Sequence, residues 1–162
     1  MTLQSEFRDA MAQLGSAVSV ITTDGVAGKY GFTASAVCSV TDEPPTLLVC
    51  MNRNSFANPH FKQNGNLCVN VLSSEHRNLS QIFANATLRS EQRFLHDSWE
   101  MLTSGAPVLS SAVANFDCEI SDIHEVGSHT VFYCQVQSVR TCECPSGLVY
   151  FNRRYYDLAQ EK

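Results

Sequence analysis

Apolar residues recur with two different spacings along the chain, and the change between them separates predicted helix from predicted strand. One face of a helix is formed by Phe7, Ala10, Met11 and Leu14, and Gly15 is placed to end it. From residue 17 the spacing becomes two, which is the period of a strand. The predicted strands cover residues 17–23, 31–40, 46–51, 66–72, 112–123, 129–139 and 147–151.

Helical spacing returns in two segments between these strands. One predicted helix begins at Ser55 and ends near residue 64, and the other covers about 74–84 with Leu79, Ile82 and Phe83 on one side. The segment 85–111 has no period that assigns it to either class. Six or seven strands joined mostly by short turns favour an antiparallel barrel over a βαβ sheet.

The strand predicted for residues 31–40, GFTASAVCSV, is small or hydroxylated in its middle. Alternation places Thr33 and Ser35 on one face and Ala34 and Ala36 on the other. Large β-branched and aromatic residues fill most strands because they pack well on a pleated surface. The pattern therefore raises the question of what fills the space beside the alanines and what the hydroxyls bond.

Length, charge and composition exclude several classes of protein. The 162 residues predict a single domain over 1–162, and a formal charge of −5 without a basic block argues against a nucleic-acid partner. No run approaches the roughly 18 apolar residues of a membrane helix, and the acidic start does not resemble a secretory signal. The expected location is therefore the cytoplasm, where the odd number of cysteines, seven, would stay reduced.

Metal binding is not predicted. Cys142 and Cys144 form a C-x-C before Pro145, but no second pair or nearby histidine completes a tetrahedral site. The other five cysteines lie in apolar strand-like runs, where a thiol behaves as a small hydrophobe. Signatures of common nucleotide, hydrolase and metalloprotease sites are also absent from the sequence.

Several polar residues stand at positions where a ligand could bind, and each also has a structural explanation. In MNRNS, the start of the predicted helix at Ser55 could bind phosphate, or the side chain could simply cap the helix. Asn70 lies within an apolar strand, where its amide needs either cross-strand partners or a polar ligand. His129 follows a turn at the mouth of a strand, and the NRRYY run could be a surface turn or an edge that binds an anionic planar ligand.

Taken together, the order of the elements and motifs resembles the short-chain flavin reductases, which are the reductase components of two-component flavin-dependent monooxygenases. The motifs are GFTASAVCSVTDEPPTLLVC, NRNS, LCVNVL, FDCEI, GSH and GLVYFNRRY, and they extend from about Phe7 to Asp157. The reductases that serve hydroxyphenylacetate hydroxylation and pyrimidine ring opening are similar. The resemblance implies a mainly β fold, a split Greek-key antiparallel β-barrel with peripheral helices, which forms a homodimer.

The resemblance also implies that FMN or FAD is held without a covalent bond. The flavin ring would lie where Ala34 and Ala36 stand back, with Thr33 and Ser35 at its polar edge. Other implied contacts are Asn52 and Ser55 on the phosphate side, Asn70, Val71 and Leu72 on the ribityl and ring side, Phe83 and Ala84 as a pair near the flavin, and Arg154 and Tyr155 as a closing pair. His129 would position the nicotinamide, although Ser128 stands where many relatives carry Asp.

The implied activity is that of an NAD(P)H:flavin oxidoreductase, which passes hydride from NADH or NADPH to free flavin and supplies reduced flavin to a separate oxygenase. Since the chain has no dinucleotide motif and no length for a second domain, we expect nicotinamide to bind on the exposed face of the flavin. Two alternatives remain at this point: a flavin- or haem-binding split barrel without turnover, and a purely structural dimer.

Overall fold

The computed structural model describes residues 1–143 and 146–159. Cys144 and Pro145 of the C-x-C-P stretch therefore lie outside the described residues. Within the described ranges, no group of three or more potential ligand residues could hold a metal ion. None of the helices in these ranges has the length and apolar character needed to span a bilayer.

Helices are short and lie outside the sheets. The described α-helices are α1 (Leu3–Met11), α2 (Asn58–Asn64), α3 (Arg77–Ala84) and α4 (Ser90–Arg93), and a 3₁₀ turn at Ser74–His76 leads into α3. α1 begins where the Thr2 hydroxyl accepts a hydrogen bond from the Ser5 amide at 3.2 Å. It ends at Met11 rather than continuing to Gly15.

Strands are the main class of secondary structure in the described chain, in agreement with the predicted mainly β fold. They are β1 (Ser16–Ala17), β2 (Ser19–Thr23), β3 (Tyr30–Ala34), β4 (Val37–Asp42), β5 (Pro45–Asn52), β6 (Asn66–Val71), β7 (Trp99–Met101), β8 (Pro107–Leu109), β9 (Ala114–Val126), β10 (His129–Thr141), β11 (Ser146–Phe151) and β12 (Arg154–Ala159). The unassigned segment 85–111 contains α4, β7 and β8, which are each too short to show a period.

A seven-stranded antiparallel sheet forms the body of the protein, in the order β3-β2-β6-β9-β10-β5-β4. Its two edge strands, β3 and β4, are consecutive in the chain and are separated only by Ser35 and Ala36. The sheet must therefore curl until its edges meet, yet among the described strands β3 and β4 are not paired. The result is a barrel that stays open along this line, and the predicted split-barrel class is confirmed.

The strand predicted over residues 31–40 is thus two strands, and the prediction of one continuous strand was wrong. The break comes at Ser35–Ala36, where the Val37 amide donates to the Ser35 carbonyl at 3.0 Å. The Cys50 amide donates to the Ala36 carbonyl at 3.0 Å, which fixes the start of β4 against β5. The small residues are therefore found where the chain crosses from one edge of the sheet to the other.

Two apolar cores lie on opposite faces of β2, all of whose residues are buried. Ile21 belongs to the core inside the barrel, while Val20 faces the core beneath α3, as the alternation of a strand requires. The barrel core also contains Leu47, Val49, Met51, Phe61, Leu67, Val69 and Phe132. The second core contains Val18, Leu72, Leu79, Phe83, Leu109, Ala112 and Leu148, and joins α3 to the three-stranded sheet β1-β11-β12.

The core also holds polar groups that alternation did not place there. Asp117 lies between Phe116 and Cys118 in β9 and is completely buried. Its carboxylate accepts hydrogen bonds from the Ser104 amide at 2.7 Å and from the Ser104 hydroxyl. The donors come from Ser104 in the loop between β7 and β8, so the pattern of β9 alone could not anticipate them.

Candidate functional site

A cleft, here called the small cleft, opens where β3, α3 and the β11–β12 hairpin meet. Its volume is about 320 Å³, and its lining residues are Val18, Thr33, Ala34, Ser35, Ala84, Tyr150, Arg153 and Tyr155. Five of these were expected to contact a flavin: Thr33, Ala34, Ser35, Ala84 and Tyr155. The structure therefore brings together residues that come from three separate parts of the chain.

Three polar side chains of the small cleft, Thr33, Tyr155 and Arg153, already have partners within the protein. The Thr33 hydroxyl donates to the Ser80 carbonyl at 2.6 Å, and the hydroxyls of Ser80 and Tyr155 are hydrogen-bonded at 2.8 Å. The Arg153 guanidinium contacts the Asp9 carboxylate of α1 at 2.6 Å. Thr33 and Tyr155 are thus fixed to α3 through Ser80. The Arg153 side chain is instead held by the exposed Asp9 carboxylate.

Arg153 reaches the cleft because of the turn between β11 and β12. Asn152 and Arg153 both have positive φ, 48° and 61°, as the two central residues of a type I′ hairpin turn do. The turn is also tied to the end of α1, because the Asn152 amide donates to the Ala12 carbonyl at 2.7 Å. Adjacent residues of a strand point to opposite faces. Because Tyr155 faces the small cleft, Arg154 points away from the cleft and is exposed.

A second cavity, here called the large cleft, borders the first residues of β3, next to those that line the small cleft. Its volume is about 620 Å³. It is lined by Tyr30, Gly31, Phe32, residues 54–57, residues 86–91 and Arg93. Residues 30–32 of β3 border the large cleft and residues 33–34 border the small one, so the two cavities follow the same strand.

Arg93 holds one wall of the large cleft in place. Its guanidinium donates to the carbonyls of Gly31 at 2.7 Å, Phe83 at 3.1 Å and Asn85 at 2.8 Å. Burial lowers the pKa of Arg93 from its ordinary value. The arginine is thus used to join the segment after α3 to β3, and most of its donors are occupied.

Ser55 lines the large cleft, but it does not begin a helix. α2 begins at Asn58, and residues 53–57 form turns before it. Asn52 supports this turn, since its side-chain oxygen accepts from the Asn54 amide at 2.8 Å. The prediction of a helix starting at Ser55 was wrong because a run of turns resembles a first helical turn in sequence.

His129 lies at the start of β10, directly opposite Asn52 of β5. The Ser128 hydroxyl lies 2.9 Å from His129 Nδ1. Arg53 secures the turn from the other side, because its amide donates to the Ser128 carbonyl at 2.9 Å and its guanidinium contacts Glu125 at 2.7 Å. His129 is exposed beside the turn that leads to Ser55, and it does not line either cleft.

Other expected flavin contacts lie elsewhere. Leu72 and Phe83 are buried in the core beneath α3, and Val71 packs against the barrel core. Ala36 is exposed at the crossing between β3 and β4 and does not line either cleft. Of the expected pair Phe83 and Ala84, therefore, Ala84 lines the small cleft. Phe83 is buried in the second core and does not line the cleft.

Asn70 is completely buried, and its amide is fully used within the protein. Its Nδ2 donates to the Val20 carbonyl at 2.9 Å and to the Thr22 hydroxyl at 3.1 Å. Its Oδ1 accepts from the Leu109 amide and from Asn115 Nδ2, both at 2.8 Å. Of the two explanations open for this residue, the structure supports cross-strand hydrogen bonding.

Val18, Tyr150 and Arg153 line the small cleft although the sequence did not single them out for it. Arg153 was visible in the NRRYY run, and the rule that adjacent strand residues face opposite ways would have separated it from Arg154. Val18 and Tyr150 reach the cleft through pairing of β1 with β11, which no local pattern indicates.

A Ser–His–Asp cluster away from the clefts does not have the geometry of a hydrolase triad. His76 Nε2 lies 2.9 Å from the Ser111 hydroxyl, and that hydroxyl donates to Asp97 at 3.0 Å. The Ser73 amide donates to His76 Nδ1 at 3.0 Å, so the proton of the neutral ring is on Nε2 and faces Ser111. Because Nε2 already carries the proton, it cannot accept the proton of Ser111, and the cluster is structural. Burial lowers the pKa of His76, which favours this neutral form of the ring.

Comparisons with known proteins place this chain among similar sequences and structures. Residues 11–159 match the family described as Flavin reductase like domain. FMN reductase (NADH) RutF of Serratia proteamaculans (strain 568) is 52% identical over 98% of this chain and 90% of the relative.

Two solved structures extend the comparison. The Streptomyces globisporus C-1027 NADH:FAD oxidoreductase SgcE6, in complex with NAD and FAD fragments, is 25% identical, with a TM-score of 0.86 over 95% of this chain and 92% of the other. The styrene monooxygenase flavin reductase of Pseudomonas putida S12 is 25% identical, with a TM-score of 0.85 over 97% of this chain and 99% of the other.

Proposed function

Because this chain belongs to the family of flavin reductase like domains, we propose that it is an NAD(P)H-dependent flavin reductase, an oxidoreductase acting on FMN or FAD. The observation that carries the proposal is the convergence of Thr33, Ala34, Ser35, Ala84 and Tyr155 on one cleft. The relative named FMN reductase (NADH) supports FMN and NADH as the substrate pair, and the relative bound to NAD and FAD fragments keeps FAD a candidate.

The small cleft suits the ring of a flavin. Ala34, Ser35 and Ala84 leave room for a flat ligand, and Tyr150 and Tyr155 supply aromatic surface. Hydride transfer from nicotinamide to flavin is the chemistry of the two substrates themselves. The protein contributes the geometry, and the Arg153 guanidinium offers a positive charge near the negative charge that develops on the flavin.

The large cleft suits the remainder of the flavin, because the two clefts border neighbouring residues of β3. We assign Ser55 to contacts with the phosphate of the flavin. Asn52 shapes the turn that carries Ser55, because its side-chain oxygen accepts from the Asn54 amide. His129 is assigned to positioning the nicotinamide, supported by its exposure and its place opposite Asn52. Leu72 and Phe83 are assigned to supporting the cleft wall from the core beneath α3, and Asn70 to cross-strand hydrogen bonding, since all three are buried.

The reduced flavin is proposed to leave as a diffusible product for a separate oxygenase. An open pocket in a single domain cannot enclose reduced flavin while another substrate is oxygenated. The relative that serves styrene monooxygenase supports such a partner. Free thiols at Cys38, Cys50, Cys68, Cys118 and Cys134 support a reducing, cytoplasmic location.

A homodimer is proposed from the surface of α1. Leu3, Phe7 and Leu14 on and beside this helix are 82%, 62% and 60% exposed, and none of the α1 residues is buried. A second copy of the chain would cover these apolar side chains. Analytical ultracentrifugation of the protein and of Phe7→Glu tests this: a monomeric parent protein would contradict it.

The experiment that tests the function is anaerobic reduction of free FMN by NADH. We expect one enzyme to reduce many equivalents of flavin, which separates a reductase from a flavin- or haem-binding protein without turnover. Reduction that stops at one flavin per subunit, with NADH and oxidised flavin still present, would contradict a diffusible product. No reduction of any flavin would contradict the activity itself.

A further inference from the structure

One face of α3 lies behind the small cleft. Arg77, Ser80 and Ala84 are three and four residues apart and therefore lie on the same side of the helix. Ala84 lines the cleft, while Ser80 is completely buried and does not reach it. A polar side chain in this buried position calls for an explanation.

Ser80 makes hydrogen bonds to both walls of the small cleft. Its carbonyl accepts from the hydroxyl of Thr33 on β3 at 2.6 Å, and its hydroxyl is hydrogen-bonded to that of Tyr155 on β12 at 2.8 Å. Among the described strands, β3 and β12 belong to different sheets and are not paired. Ser80 therefore connects two walls that no strand pairing holds together.

The Tyr155 ring is restrained by packing on its other sides. The Tyr150 ring lies 5.3 Å away at an angle of 63°, and the Arg77 guanidinium lies 5.8 Å from the Tyr155 ring centre. These contacts restrain the plane of the ring, whereas the position of its hydroxyl depends on Ser80.

We propose that Ser80 is a positioning residue, which fixes the Tyr155 hydroxyl and the spacing of β3 and β12 so that the small cleft admits a flavin ring. Ser80 acts without contacting the ligand. This inference rests on the proposed flavin-binding function. It predicts that Ser80 governs flavin affinity although it is hidden behind the cleft wall.

The test is a double-mutant cycle with Ser80→Ala and Tyr155→Phe. A hydrogen bond that contributes roughly 1 kcal/mol corresponds to about a five-fold change in an equilibrium constant. We expect each single variant to raise the FMN dissociation constant about five-fold, measured by fluorescence titration. The double variant should bind no more weakly than Tyr155→Phe alone, because both substitutions remove the same bond. In steady-state kinetics, KM for FMN should rise while kcat changes little.

Ser73→Ala is the matched control, because it removes another buried hydroxyl, which lies 3.0 Å from His76 Nδ1 and does not line the small cleft. We expect it to lower the urea midpoint but to keep the FMN dissociation constant. If the parent protein binds no flavin, the proposed function fails. If the parent protein binds flavin and Ser80→Ala binds it equally well, or the two single effects add, the positioning role is wrong. Should Ser80→Ala fail to fold, an unchanged dissociation constant in Tyr155→Phe would also overturn it.

Discussion

Replacing Asn70 by Ala would separate the two roles that a buried amide in this strand could have. In the structure Asn70 makes two hydrogen bonds through Nδ2 and accepts two through Oδ1. Asn115 Nδ2 keeps a second acceptor in the Leu109 carbonyl at 3.2 Å, but the Leu109 amide loses its acceptor. A buried donor left without a partner costs about 1–3 kcal/mol.

The magnitude follows from these contacts. In Asn70→Ala the Leu109 amide has no acceptor, the Val20 carbonyl and the Thr22 hydroxyl lose a donor, and the missing side chain leaves a space. Together these changes predict a loss of about 3–5 kcal/mol in the free energy of unfolding. That is a large part of the roughly 5–15 kcal/mol typical of a domain. Since Asn70 is buried beside β2 and β8, the folded fraction should bind FMN within about two-fold of the parent protein.

Urea denaturation with linear extrapolation measures the first quantity, and flavin fluorescence titration without denaturant measures the second. The result that would refute the reasoning is the reverse pattern. A loss of stability below about 1 kcal/mol, together with a ten-fold weaker FMN affinity, would make Asn70 a ligand-binding residue.

Two further predictions concern other features of the clefts. A Cβ on Gly31 would lie 2.7 Å from Phe83 Cε1, so Gly31→Ala should destabilise the protein by about 1–3 kcal/mol in urea denaturation. Gly147→Ala, where the nearest atom is 3.5 Å away, should change stability by less than about 0.5 kcal/mol, and equal losses in the two variants would disprove the steric explanation. Asp9→Asn removes the exposed partner of Arg153 and should change stability by less than about 1 kcal/mol. It should also lower the FMN dissociation constant about two-fold at low salt, and an unchanged or higher constant would show that Arg153 does not bind the ligand.

The fold class was predictable because alternation is a local property. β2, β5, β6 and β10 fall within or close to predicted strands, since their side chains face packed surfaces. The break at Ser35–Ala36 was not predictable, because small residues are compatible both with a continuous strand and with a crossing between sheet edges. The structure needs the crossing to curl the sheet, and that is a property of the whole topology.

The candidate site was predicted in part, through the resemblance of the motifs to a known family. Thr33, Ala34, Ser35, Ala84 and Tyr155 line one cleft, as the motifs implied. Asn70 and Phe83 were implied contacts from the same resemblance but face inward, because alternate positions of a strand or helix face a core that sequence alone does not locate. Arg153 required knowledge of the turn, since only its positive φ and the pairing of β11 with β12 show which arginine enters the cleft.

The small cleft has a consequence for how the chain folds. The Thr33–Ser80 bond closes a separation of 47 residues, and the Ser80–Tyr155 bond closes one of 75. Each closure loses chain entropy before its contacts form, so such contacts are slow to assemble. The β2–β3 and β9–β10 hairpins can form early, whereas the cleft depends on the last contacts made. A ligand that binds only the finished cleft therefore draws the folding equilibrium toward the native state, by about 2.7 kcal/mol at a concentration of 100 times its dissociation constant.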